Sequence, residues 1–278
     1  MKLGDLKRLL EQHGLRPQQM FGQNFLVDPA LLQAIPEDAG LQAGDRVLEV
    51  GPGAGALTAE LLRHQADVYA VEIDRGMCEL LRERFESSLE GGQLRLLQAD
   101  VLAKDELFHR EVEEWWHQGT PPRLIANLPY AISGPFLGRL PGRRLQNAAL
   151  LLQREVAVKA AGKVGSKDYG PLTVRLSLAF KTRVGRRLPP EVFWPRPQIE
   201  SAFLHLEPRA DAPSAAVDKL LATILKLGFG QRRKRLLGRL AKQFPAAAEA
   251  LRQGGVHEQA RAEQVEPALW LQAALALQ

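Results

Sequence analysis

A single cysteine, Cys78, in 278 residues leaves no partner for an internal disulfide, and the expected setting is reducing and cytoplasmic. No apolar run approaches the roughly 20 residues that a membrane-spanning helix needs, so no membrane association is expected. The opening stretch Met1–Gly14 is charged and amphipathic and lacks the apolar core of a secretory signal. Six histidines and one cysteine show no metal-ligand spacing, so no metal is expected. No Ser/His/Asp arrangement stands out, and there is no internal repeat or low-complexity tract. What is present is the profile of a globular chain, 45% hydrophobic and 25% charged, long enough for one large and one small domain. Nothing suggests an obligate oligomer, so a monomer is expected.

The net charge of +5 is unevenly placed. From Glu207 to Gln278 there are 11 Lys/Arg against 7 Asp/Glu, while the first 206 residues hold the remaining 26 and 25. An excess of cations in the last quarter suits a polyanionic partner; a solvated helical surface is the plain alternative.

Apolar periodicity predicts a helix over the first twenty residues, with Leu3, Leu6, Leu9 and Leu10 on one face. Strands are then predicted at Arg46–Val50, Asp67–Ile73, Leu94–Gln98, Arg123–Ala126 and Ala148–Gln153, separated by helical stretches that include Leu57–His64 and Met77–Leu89. This alternation indicates an α/β fold with a parallel sheet and helices on both faces. Glu191–Pro197 reads as an ordered loop, Ile199–Leu206 as a last strand, and Glu207–Ser214 as a linker. Ala216–Gln278 reads as helical, with breaks near Gly228–Gly230, Pro245 and Gly254–Gly255. Two domains are therefore expected, 1–207 and an all-helical 208–278.

Val47–Gly55 is a strand running into a glycine turn that opens a helix. Glycines there let a ligand approach the backbone, though a tight strand–helix turn would use them equally well. Glu72 lies 21 positions after Gly51, at the end of the next strand, where an acid can accept hydrogen bonds from ribose hydroxyls. Asp100 ends the third strand, with a helix N-cap as its plain alternative. Three strand ends carrying Gly, Glu and Asp favour a nucleoside-containing cofactor. This order resembles the class I S-adenosylmethionine-dependent methyltransferases, a Rossmann-like fold. The resemblance implies that the glycine turn passes the methionine part, Glu72 holds the ribose and Asp100 contacts the adenine.

At the end of the fourth strand stands Asn127-Leu128-Pro129-Tyr130. An adenine exocyclic amine is a poor nucleophile, because its lone pair is delocalised into the ring. The Asn127 side-chain oxygen and the Leu128 carbonyl can accept its two hydrogens and favour a pyramidal nitrogen. Pro129 fixes the backbone and removes a competing donor. Tyr130 offers a stacking face to an extruded base. A simple turn is the alternative, since Asn and Pro are common turn formers.

A tetrapeptide of this type marks N6-adenine methyltransferases. With it, Phe21–Leu26 (FGQNFL), Gln153–Val156 (QREV), Tyr169–Leu172 (YGPL), Phe193–Ala202 (FWPRPQIESA) and Phe229–Lys234 (FGQRRK) resemble, in order, the motifs of ribosomal RNA adenine dimethyltransferases, the kasugamycin-resistance family. The resemblance covers nearly the whole chain. It implies S-adenosylmethionine as cofactor, held by Gln23, Asn24, Leu26, Gly51, Glu72, Asp100 and Asn127. It implies Asn127, Leu128, Pro129 and Tyr130 at the reacting amine, and Phe193 as a second stacking face, for which core packing is the alternative. Arg232, Arg233, Lys234 and Arg235 would contact RNA phosphate. The implied reaction dimethylates two adjacent adenosines in a hairpin near the 3′ end of 16S rRNA in the immature small subunit. A large-subunit (23S) adenine methyltransferase and a non-catalytic RNA-binding assembly factor are the rival readings.

Four positions depart from the family pattern: Ala131 and Gly134 stand where Asn and Thr are usual, Glu200 replaces Asp, and Pro171 occupies a place where Arg is common. Trp115 and Trp116 fall in an insertion-like stretch; a cover on the sheet edge is one reading, and the sequence assigns them no role.

Overall fold

The structure is a computed structural model that describes residues 1–18, 21–103 and 108–278. The strands among the described residues are β1 (Phe25–Leu26), β2 (Arg46–Val50), β3 (Asp67–Glu72), β4 (Leu94–Gln98), β5 (Arg123–Asn127), β6 (Asn147–Gln153), β7 (Phe180–Leu188), β8 (Phe193–Trp194) and β9 (Ser201–Pro208). Seven of them form one sheet in the order β4-β3-β2-β5-β6-β9-β7. The pairs from β4 through to β6 are parallel, and β6 with β9 is antiparallel. The α/β expectation holds, and five strands lie within a residue of their predicted bounds.

Strand order explains where a ligand can sit. The chain steps outward from β2 to β3 to β4, then returns to lay β5 on the other side of β2. The crossovers therefore diverge between β2 and β5, which opens a crevice at their carboxyl ends. Gly51 follows β2 and Asn127 ends β5. Both strands are short apolar runs buried on both faces, as parallel strands are.

Several elements differ from expectation. The N-terminal helix is Leu3–Gln12, because Gly14 turns the chain with φ +64°; residues 19 and 20 of the expected helix lie outside the described residues. The helix expected over Met77–Leu89 starts at Arg75, capped by Asp74, and breaks at Phe85 into Arg75–Arg84 and Glu86–Glu90. β7 was not foreseen: its apolar positions are interrupted by Lys181, Arg183, Arg186 and Arg187, a pattern that suits an edge strand. β8, inside the expected loop, pairs with β1 in the register Phe25↔Trp194 and Leu26↔Phe193. The last strand starts at Ser201, beyond the exposed Ile199.

Trp115 and Trp116 lie on the helix Arg110–His117. Trp115 packs on Tyr69 of β3 with ring centroids 5.0 Å apart and lies under the Arg46 guanidinium. Trp116 stacks on Phe108, and its indole N–H donates to the Arg144 carbonyl at 2.8 Å. Trp115 thus covers a face of the sheet at β2 and β3, one strand in from the β4 edge.

The chain divides into two compact units. The first is Met1–Phe136, Arg144–Arg154 and Val184–Leu206; the second is Leu137–Arg143, Glu155–Arg183 and Glu207–Gln278. The second unit joins the tail to two segments from before residue 207. The reason is packing. Tyr169 and Val174 share one apolar core with Ile224, Leu240 and Trp270. Arg175 forms a two-pronged ion pair with the buried Asp218 at 3.0 and 2.6 Å. The helices of the tail are Ala215–Phe229, Leu237–Gln243, Pro245–Gln253 and Pro267–Leu275, with little helix between the last two. Proline begins the last two of these helices, where its missing N–H costs nothing. No helix among the described residues is long and apolar enough to cross a membrane.

Candidate active site

One cavity in the first unit lies at the carboxyl ends of β2, β3 and β5. Its walls include Gln23, Asn24, Leu26, Gly51, Glu72, Asp100 and Asn127, all seven expected cofactor residues, together with Leu128, Pro129 and Tyr130.

The glycine turn forms the cavity floor. Gly51, Gly53 and Gly55 have φ of +69°, +56° and +76°, a backbone state that L side chains rarely adopt. At Gly51 the close approach is as decisive as the torsion, since a Cβ there would lie 2.7 Å from Pro129 Cγ. The turn after β2 and the turn after β5 are thus in direct contact.

Glu72 is 4% exposed. Its Oε2 accepts the Gly53 N–H at 3.0 Å, and its Oε1 accepts those of Ile73 and Asp74 at 2.9 and 3.0 Å. These donors favour the carboxylate, but burial outweighs them and raises its pKa from the ordinary value. Oε1 is thus fully engaged, while Oε2 keeps a further lone pair for a hydroxyl donor. Ile73, next to it, is a large apolar side chain left 45% exposed on the cavity wall, a surface suited to a flat ring. Asp100 also lines the cavity, and its Oδ1 accepts the Leu102 N–H at 2.9 Å in a local turn that opens no described helix.

Sequence reasoning missed Glu49. It lines the same cavity at 1% exposure, with its Oε2 accepting the Thr58 hydroxyl at 2.7 Å. Burial pushes its pKa up to about 8, against the opposing pull of the Thr58 bond. The available signal was an acid inside the apolar run Val47-Leu48-Glu49-Val50.

The loop of the FGQNFL segment closes another wall. Gln23 faces the cavity, but its side chain is engaged within the protein: Oε1 accepts the Gln18 N–H at 2.8 Å and Nε2 donates to Asp74 Oδ2 at 3.0 Å. It ties this loop to the end of β3. The Asn24 side chain donates to the Gly22 carbonyl at 3.1 Å, and the Asn24 backbone carbonyl accepts Asn127 Nδ2 at 2.9 Å. Leu26 is buried.

The Asn127–Tyr130 corner follows. The Leu128 N–H donates to the Leu151 carbonyl at 2.9 Å and extends the β5–β6 ladder by one residue. The Pro129 carbonyl accepts the Ile132 N–H at 3.2 Å and the Ser133 hydroxyl at 3.1 Å, so the corner is a closed turn. The Tyr130 phenol lies 2.6 Å from the hydroxyl of the buried Ser201, and burial raises its pKa.

Phe193 is placed differently from its expected stacking role. It is 3% exposed and packs in the core with Leu26 and Phe203, because β8 pairs it with β1. The face that a base would need is covered by apolar side chains. Among the basic residues Arg232–Arg235, at and just after the FGQRRK segment, Arg233, Lys234 and Arg235 are exposed, while Arg232 donates to the Ser166 and Lys167 carbonyls. No cluster of three His, Cys, Asp or Glu side chains suited to a metal is found among the described residues.

Of the departures, Pro171 begins the helix Pro171–Ala179, where proline suits the first turn. A side chain at Gly134 would meet nothing within 4 Å. Glu200 lies 3.6 Å from Arg154, and Ala131 is exposed; nothing in the structure explains these two replacements.

Compared with known proteins, residues 14–278 match the family model for ribosomal RNA adenine dimethylase. The chain belongs to that family. It is 41% identical to the ribosomal RNA small subunit methyltransferase A of Magnetococcus marinus, over 94% of this chain and 91% of that one. It is 37% identical to the protein of the same name from a Synechococcus species, over 95% and 97%. Among solved structures, the 23S rRNA methyltransferase ErmE aligns with a TM-score of 0.65 at 26% identity, over 91% of this chain and 99% of that one. A dimethyladenosine transferase from Plasmodium falciparum shares the fold, with a TM-score of 0.68 at 21% identity over 90% and 95%.

Proposed function

We propose that this chain transfers methyl groups from S-adenosylmethionine to the N6 amines of two adjacent adenosines in a hairpin near the 3′ end of 16S rRNA, giving N6,N6-dimethyladenosine on the immature small subunit. The observation that carries the reading is the contact between the Gly51 turn and the Asn127–Tyr130 corner at the β2/β5 divergence. The family and the names of its relatives support the reaction and the RNA.

The residues present fit the cofactor. Glu72 Oε2 has acceptor capacity for a ribose hydroxyl, Ile73 offers a wall for the purine, and Asp100 also lines the cavity as an acceptor for the adenine amine. Gly51 and Gly53 hold the positive-φ turn that the methionine part would pass. When bound, S-adenosylmethionine supplies a methyl group already activated by its sulfonium.

The protein's own part is positioning. A backbone carbonyl can only accept, so the Asn24 carbonyl holds the Asn127 amide with its nitrogen inward. The Asn127 oxygen is then left for one hydrogen of the adenine amine, and the Leu128 carbonyl takes the other. Both oxygens favour the pyramidal nitrogen over the planar one. Tyr130, anchored by Ser201, presents its ring to the extruded base.

Incubation with unmethylated small subunits and S-adenosylmethionine, followed by mass spectrometry of the RNA, tests the proposal. Two neighbouring dimethyladenosines in the 3′-terminal hairpin are expected. The likeness to ErmE makes large-subunit RNA the second arm; preferential methylation there would replace the small-subunit reading.

A further inference from the structure

Arg232 stands where an RNA contact is expected, yet its guanidinium is turned inward to the second unit. Nη1 donates to the Lys167 carbonyl and Nη2 to the Ser166 carbonyl, both at 2.8 Å. A planar fork engaging two consecutive carbonyls fixes the direction of a loop far better than one point charge could. The loop Lys163–Asp168 is tied down twice more. The Gly165 N–H donates to the Glu263 carbonyl at 2.8 Å. Gly162 starts the loop so tightly that a Cβ there would lie 2.8 Å from the Asp168 carbonyl oxygen.

This bracing joins two basic segments that are distant in sequence. Lys163 and Lys167 are exposed on the loop; Arg233, Lys234 and Arg235 are exposed immediately beyond Arg232. Glu263, on the adjoining turn, is 3.8 Å from Arg232 and offsets that inward charge, so it does not cancel the five exposed ones. The loop itself carries one acid, Asp168. Cations spread over two braced segments suit a string of phosphates more than a single anion.

We propose that the Lys163–Lys167 loop and Arg233–Arg235 form one phosphate-backbone surface for folded RNA, and that Arg232 is the positioning residue that joins its halves. This rests on the reading of the chain as an rRNA methyltransferase and adds to it a loop that no motif marks as an RNA contact.

The test is binding of the full chain to unmethylated small ribosomal subunits across a salt series. For Lys163→Gln with Lys167→Gln, the slope of log affinity against log salt is expected to shrink by about one per lysine. The pair Lys163→Arg with Lys167→Arg should restore it, which separates charge from folding. Arg232→Lys keeps the charge but loses the fork, and is expected to weaken subunit binding severalfold with S-adenosylmethionine affinity unchanged. A wild-type salt slope in the Gln pair would overturn the loop's role, and wild-type binding by Arg232→Lys would overturn the bracing role. Should the slope shrink while the wild-type chain methylates no subunit RNA, the surface stands and the catalytic reading falls. Should methylation proceed with an unchanged slope, the reverse holds.

Discussion

The side-chain nitrogen of Asn127 donates to the backbone carbonyl of Asn24 across 2.9 Å. That bond joins two segments about a hundred residues apart and decides which end of the Asn127 amide faces the cavity. Asn127→Ala removes the oriented acceptor and is expected to lower single-turnover methylation at least ~10²-fold, with subunit binding little changed. Asn127→Asp should be no better, because a carboxylate has no N–H for the Asn24 carbonyl. Near-normal turnover by either variant would remove Asn127 from the reaction.

Gly51→Ala is expected to weaken S-adenosylmethionine binding more than tenfold by calorimetry. Its φ of +69° costs an L residue about 1–2 kcal/mol, and the added methyl would sit 2.7 Å from Pro129 Cγ, pushing the two turns apart. Gly134→Ala is the control: its Cβ meets nothing within 4 Å, and binding should match the wild type.

Tyr130→Phe and Ser201→Ala each delete the same 2.6 Å hydroxyl pair. Each should lower kcat/KM by roughly fivefold, the worth of one such bond, and the double variant should be little worse than either. Tyr130→Ala, which also removes the ring, should fall much further. Additive losses in the double variant would mean that Ser201 does not act through Tyr130.

Glu49 titrates at about 8 in the fold against an ordinary 4.5. Between these values the folded state holds a proton that the unfolded state has released. Stability should therefore decline as pH rises from about 5 to 8, by up to a few kcal/mol. Glu49→Gln, which stays neutral, should flatten that dependence and melt higher than the wild type at pH 8. Parallel melting curves for the two proteins across the range would contradict the assignment.

Asp218→Ala leaves the Arg175 guanidinium without its buried partner. A loss of about 3–5 kcal/mol in denaturant unfolding is expected, with a smaller loss when Arg175→Met is added. A loss under 1 kcal/mol would mean that the pair does not hold the Glu155–Arg183 segment in the helical unit.

The glycine turn, Glu72, Asp100 and the Asn127–Tyr130 corner were legible because each depends on local chain geometry: a short apolar strand, then residues chosen for the turn that ends it. Phe193 was not legible. Its exposure is set by the pairing of β8 with β1, a contact between segments about 170 residues apart. Glu49 was hidden because an acid in an apolar run reads as a solvated exception until the packing around it is known. Arg232 read as one cation among four, since the carbonyls it holds belong to a remote loop. The second unit was under-drawn for the same reason, because Tyr169 and Val174 enter its core from before the linker.

The amino-acid sequence alone determined the α/β alternation, the order of the motifs and the chemistry each strand end can offer, because periodicity, turn residues and side-chain type act over a few neighbouring positions. Only the tertiary structure decided which of those groups face one cavity, which way the Asn127 amide points, and which aromatic and basic side chains are buried or engaged. Those outcomes depend on distances between remote segments, and burial and hydrogen bonding set them once the whole chain has folded.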